Sequence, residues 1–155
     1  MVKVQSSHQV AADTEAVFPR LCDFDRFEGM IRNAGGTVER TDPAGAPAAG
    51  SRWAGDVTFG GRVWRFEGTV DRMEPPRGYV TRGLSSGVQI VIKVTCATLA
   101  SGRSRVTVSV ELSPKTLAAR VLLKPISMGQ ASIEERFDRR VGAFLREVEQ
   151  DIGAV

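Results

Sequence analysis

Metal-binding and nucleophilic side chains are scarce in this chain, which has one histidine, His8, and two cysteines, Cys22 and Cys96. A transition-metal centre needs several such ligands, or carboxylates, converging on one point, and the spacing here matches no zinc motif, so no metal is expected. Cys22 and Cys96 lie far apart with no CxxC between them, and they read as small buried hydrophobes of a reducing compartment. Catalysis of the Ser/His/Asp or Cys/His kind would have to use His8, the sole imidazole. Long apolar runs are missing too. Val121-Leu122-Leu123 and the stretch 88–92, interrupted by Gln89, fall far short of the roughly 20 residues a spanning helix needs. The N-terminal stretch MVKVQSSHQV has no apolar h-region, which makes a cytoplasmic location the default expectation. Phosphate-cradling glycine loops are also lacking. Gly60-Gly61 and the stretch 83–87 sit at strand-to-strand turns rather than ahead of helices, so nucleotides are not indicated and no cofactor is expected.

What is present is ordinary for a globular protein: 42% apolar and 25% charged residues in a chain of 155. That length fits one domain over 1–155, and at this size folding buries roughly 70% of the unfolded surface. The 21 Lys and Arg against 18 Asp and Glu give a net charge of +3. The cations are spread along the chain, and the local concentrations at Arg103, Arg105, Arg136, Arg139, Arg140 and Arg146 read as a solvated sheet edge and helix face. No nucleic-acid partner is therefore expected.

The order of the patterns carries more. Val2, Val4 and Val10 share a parity with Ser6 and His8, while Lys3, Gln5, Ser7 and Gln9 take the other, the period-two mark of a half-buried strand. Asp13 and Glu15 open a helix carrying Ala16, Val17 and Leu21 inward, interrupted by Pro19, and a second short helix follows around Asp25 to Met30. Thr37 to Arg40 is the second strand. The segment 42–50, small and punctuated by proline and glycine, is a loop. Trp53, Val57 and Phe59 alternate with polar residues up to a Gly60-Gly61 hairpin turn, and Trp64, Phe66 and Val70 alternate beyond it. Tyr79 to Leu84, Val88 to Leu99 and a last strand with Val106, Val108, Val110 and Leu112 inward complete the sheet, which Ser113-Pro114 ends. Leu117, Val121 and Leu122 suggest a helical lead-in that Pro125 kinks or ends. The main helix, roughly Ile126 to Ile152, carries one apolar stripe through Ile133, Phe137, Val141, Phe144, Leu145, Val148 and Ile152. A meandering sheet followed by one long helix implies an α+β shell with the helix laid across one sheet face.

Strand, two short helices, six strands and a long C-terminal helix is the order of the helix-grip fold. The chain resembles the START/Bet v 1-like (SRPBCC) superfamily, and within it the bacterial polyketide cyclase/dehydrase-type proteins. Asp23 in the helical pair, Gly50-Ser51-Arg52-Trp53 leading into a strand, and the Glu74-Pro75-Pro76-Arg77 turn carry the likeness, which covers Val4 to Ile152. The resemblance implies a curved antiparallel sheet of about seven strands gripping the terminal helix. It also implies an apolar cavity that accepts lipids, quinones, sterols, polyketides or other hydrophobic small molecules.

Inward parity puts Trp53, Val57, Phe59, Trp64, Phe66, Ile90, Ile92, Val94, Val108 and Val110 on the concave face, opposite Phe137 and Val141. Plain core packing is the competing reading for each of them. Arg62 and Arg82 share parity with apolar neighbours and would place a cation at the cavity mouth, against the simpler reading of snorkelling at a strand end. His8 is either a cavity-facing acid or base or a hydrogen-bonded core histidine. The pairs Asp23/Asp25 and Glu134/Glu135 diverge on helices and read as solvated. Three functions compete: a binding module for a hydrophobic small molecule, a polyketide cyclase/dehydrase- or aromatase-type enzyme using the same cavity, and, with least support, a protein-interaction or membrane-peripheral role using the loop 42–50, the apolar segment 117–123 and the basic surface. The enzyme requires at least two of His8, Tyr79, Arg62 and Arg82 to converge in it.

Overall fold

In the computed structural model, residues 1–42 and 45–154 are described; Pro43 and Ala44 of the expected 42–50 loop lie outside them. Strand β1 (Val2–Val10) is followed by helices α1 (Thr14–Leu21) and α2 (Phe24–Asn33). Strands β2 (Thr37–Arg40), β3 (Arg52–Phe59), β4 (Arg62–Glu74), β5 (Gly78–Ser85), β6 (Val88–Ala100) and β7 (Arg103–Pro114) come next, then helices α3 (Leu117–Met128) and α4 (Gln130–Gly153). The seven strands form one curved antiparallel sheet in the order β1-β7-β6-β5-β4-β3-β2. Consecutive strands from β2 onward pair with one another, and β1 closes against the last strand with Val4 opposite Val110 and His8 opposite Val106. Alternation along each strand is what fixes this register, since a slip of one residue would turn every valine of β1 and β7 out to water.

Helix α4 lies across β1, and its Leu145 and Val148 are buried. With α1 it seals one end of the sheet: Val10, Val17, Phe18, Leu21, Tyr79, Val94, Cys96 and Val106 form a continuous core there. At the other end Val88 packs on Ala119 and Leu123 of α3. The space between these two clusters is not filled.

Several local expectations are corrected. Pro125 does not end the lead-in: α3 runs through it to Met128 and stops at Gly129, whose N–H reaches the Pro125 and Ser127 carbonyls. One missing N–H costs the helix a single bond, and burial of Ala119 and Leu123 on one face outweighs it. The main helix therefore starts at Gln130 rather than near Ile126. Leu117 and Val121 are exposed, so the inward stripe of α3 falls on residues 119, 123 and 126. Pro19 is likewise carried inside α1. Asp13 stands at the start of α1 without capping it, because its carboxylate accepts the Gly102 N–H at 2.7 Å and ties the helix start to the β6–β7 turn. The second helix is longer than Asp25 to Met30 and is capped by Asp23, which accepts from the Arg26 N–H at 3.2 Å. The last strand continues through Ser113 to Pro114.

Candidate functional site

The unfilled space is a chamber of about 520 Å³ between the concave sheet face and helices α2, α3 and α4. That is within the roughly 300–1,000 Å³ of small-molecule pockets. Its sheet wall carries Trp53 and Phe59 from β3, Trp64 and Phe66 from β4, and Ile90 and Ile92 from β6. Phe137 closes it from α4, with Ile133 one turn earlier and Leu123 and Ile126 from α3. Alternation explains the sheet contribution: Trp53 pairs with Gly68 and Val57 with Trp64, so one parity of each strand looks inward.

Helix α2 supplies a wall that strand periodicity alone does not reveal. Phe24, Phe27, Glu28 and Ile31 line the chamber, although no residue of this helix is fully buried. Phe24 packs on Trp53 with ring centroids 5.1 Å apart, and on Phe27 at 5.9 Å. Spacings of three and four residues among Phe24, Phe27, Glu28 and Ile31 put them on one face, the signal that could have found them. Glu28 accepts the Trp53 indole N–H at 3.4 Å and an Arg32 N–H at 3.3 Å. Arg40 also stacks on the Trp53 indole at 5.5 Å and grips Asp42 with two bonds of 2.8 and 2.9 Å. The Arg40 hydrogen bond, together with the Arg52 N–H, holds the Asp42 carboxyl well below the usual range. This network fixes Trp53 in the chamber wall.

The remaining expected site residues fall elsewhere. Val108 and Val141 pack against the core cluster at the α1 end, as does Val94, so they support the chamber's floor rather than its wall. Arg62 stacks on Trp64 at 5.4 Å from the exposed β3–β4 hairpin and is not part of the lining. Arg82 borders the chamber, but its guanidinium bonds Asp71 at 3.0 Å and is half exposed. Its parity misled because β5 turns its less apolar positions inward: the chamber-facing set is Thr81, Gly83 and Ser85. Val80, Arg82 and the 54% exposed Leu84 take the outer face.

Tyr79 is buried and donates its hydroxyl proton to the Leu21 carbonyl at 2.7 Å, and burial pushes the phenol pKa up. His8 is half-buried between β1 and α4. Its Nε2 lies 2.9 Å from Ser6 Oγ and 3.0 Å from Asp138 Oδ1, while the Ser6 hydroxyl donates to the same carboxylate oxygen at 2.5 Å. These are the residue types of a hydrolytic triad in a different geometry. One ring nitrogen faces both partners, whereas a relay needs the two nitrogens to face different ones. The cluster ties β1 to α4 and lies outside the chamber lining. Among the described residues no three His, Cys, Asp or Glu side chains come together so as to hold a metal ion.

A seven-stranded antiparallel sheet curved around a long C-terminal helix, with a chamber between them, is the helix-grip arrangement of START/Bet v 1-like proteins. The chain belongs to the family described as "Polyketide cyclase / dehydrase and lipid transport", which it matches over residues 1–149. No curated protein matches it in sequence. Among solved structures it is similar to the Zhui aromatase/cyclase of Streptomyces sp. R1128, with 16% identity and a TM-score of 0.68 over 97% of this chain and 94% of that one. It is also similar to Ara h 8.0201, at 13% identity and a TM-score of 0.64 over 99% and 98% of the two chains. Protein TTHA0849 of Thermus thermophilus aligns at 13% identity and a TM-score of 0.62, over 98% and 97%. At these identities the likeness is one of fold. No helix among the described residues is long and apolar enough to cross a membrane.

Proposed function

We propose that this protein binds a hydrophobic small molecule of the lipid, quinone or polyketide kind in the chamber between sheet and helices. The observation that carries the reading is the chamber itself. Its wall is built from Trp53, Trp64, Phe66, Ile90, Ile92 and Phe137, and the space they enclose is left open rather than closed by packing. Interiors normally pack to crystal-like density, so an apolar space of this volume is costly unless something occupies it. The family's description, which includes lipid transport, points the same way.

A cyclase/dehydrase- or aromatase-type activity in the same chamber is the second reading, favoured by the family's description and by the fold shared with an aromatase/cyclase. It needs polar groups positioned to move protons along a folded poly-β-keto chain. His8, Tyr79, Arg62 and Arg82 do not converge there, which is why binding without turnover is the preferred account. Native mass spectrometry of freshly purified protein, followed by solvent extraction, tests the proposal. A stoichiometric apolar molecule is expected; a protein that is empty and also refuses hydrophobic dyes would contradict it.

A further inference from the structure

The chamber's wall contains one side chain that does not fit an apolar lining. Ser85, the last residue of β5, is 2% exposed, and among the described residues its Oγ is the buried side-chain polar atom left without a hydrogen-bond partner. It lines the chamber. The inward parity of β5 aims it there: Thr81, Gly83 and Ser85 alternate along the concave face, and the pairing of Ser85 with Val88 holds its backbone in the sheet. Beside it in the lining, Val88 lies across the strand pair and Phe66 stands on the β4 side, next to the exposed Glu67, the partner of Leu84. A buried hydroxyl normally finds a partner, and leaving it unpaired costs free energy that an alanine in its place would not.

We infer that Ser85 is the polar anchor of the bound molecule, and that the ligand is a largely hydrocarbon compound without an anionic head, with a hydroxyl or carbonyl oxygen placed to hydrogen-bond Ser85 Oγ. The inference rests on the binding reading given above and narrows its ligand class. The charges stand against an anionic head. The Arg82 guanidinium is engaged with Asp71 and Arg62 stacks on Trp64 away from the lining, so neither offers a cation to a carboxylate head. Glu28 and Glu67, which do line the chamber, would repel one. A serine hydroxyl both donates and accepts, so an alcohol and a ketone satisfy it equally well.

The test uses a matched pair of probes, naphthalene and 2-naphthol, each displacing Nile red from wild type and from Ser85→Ala. Comparing the ratio of the two dissociation constants between proteins cancels the unequal hydration of the probes. The expected result is that Ser85→Ala weakens 2-naphthol by about threefold to tenfold, the size of one net hydrogen bond, and leaves naphthalene equal or tighter. The unliganded variant should melt at the same temperature as wild type or higher, because an orphan hydroxyl has been removed. An unchanged ratio with both probes bound overturns the anchor and leaves the chamber reading standing. A marked fall in melting temperature also overturns it, because the hydroxyl then has a partner in the empty protein. Failure of both probes and of the dye to bind wild type removes the chamber reading and the anchor together.

Discussion

Gly68 on β4 and Gly83 on β5 stand directly opposite each other in the middle of the sheet. Both look into the chamber, and in the same lateral row Trp53 pairs with Gly68 and Gly83 with Ile90. Two adjacent positions without side chains hollow the wall at its centre, where strand propensity would favour β-branched residues. The two are not equivalent. A Cβ on Gly68 would meet only the Arg82 carbonyl oxygen at 3.8 Å, whereas one on Gly83 would come within 3.0 Å of the Glu67 carbonyl oxygen.

Gly68→Leu should therefore fold and fill the chamber. The expected outcome is at least a tenfold loss of Nile red affinity with an unchanged or raised melting temperature, read by dye titration and calorimetry. Undiminished dye binding would mean that the dye sits elsewhere.

Gly142 of α4 faces the His8 ring: a Cβ there would lie 3.0 Å from His8 Cε1. Gly142→Ala should destabilise by about 1–3 kcal/mol through overpacking, partly offset by a helix-propensity gain of about 1 kcal/mol. Adding His8→Ala should relieve the strain, so urea unfolding of the double-mutant cycle is expected to give a coupling larger than experimental error. Additive effects would show that the ring moves aside freely.

Asp138 titrates below its ordinary value of 3.8, held down chiefly by the Ser6 hydroxyl and, less strongly, by His8. Asp42 is depressed in the same direction by Arg40. A carboxyl with a lower pKa in the folded state binds fewer protons there. Its contribution is complete above the unfolded value and is lost as pH falls through the folded one. Urea midpoints should consequently drop as pH falls below about 4, and Asp138→Asn and Asp42→Asn should each flatten part of that slope. Slopes identical to wild type in both variants would contradict the assignment.

Burial pushes the Cys22 thiol up to about 11, and Cys96 is raised as well. Thiolate is the reacting form, so at pH 8 a disulfide reagent should label neither cysteine of the native protein within minutes and both in denaturant. Rapid labelling of one thiol in the native state would show that the core at the α1 end opens.

How much of this was legible in the sequence follows from where its signals are strong. The alternation of Trp53, Phe59, Trp64 and Phe66 around Gly60-Gly61 marks the β3–β4 hairpin and its inward face, because a period of two admits only one register once one face is buried. Arg82 escaped that logic because the outer face of β5, with Val80 and Leu84, is the more apolar of the two in sequence, while the inner face carries Thr81, Gly83 and Ser85. Val108 and Val141 carry the same inward pattern as Ile90 and Phe137. Periodicity assigns a face but not a position along the strand or helix, and that position decides whether a residue meets the chamber or the packed core. The contribution of α2 was missed because the expected helix, Asp25 to Met30, leaves out Phe24 and Ile31 at the two ends of its chamber-facing set, and the orphan state of Ser85 depends on neighbours that no local pattern reveals.

Both tryptophans of the chain, Trp53 and Trp64, line the chamber, so intrinsic fluorescence reports directly on what enters it. The decisive measurement is a titration with a brominated long-chain alcohol, whose bromines quench indole emission on contact. Binding in the chamber predicts saturable quenching of most of the emission at one molecule per chain, abolished in Gly68→Leu. Quenching that rises without saturating and is the same in both proteins would contradict a ligand-binding chamber.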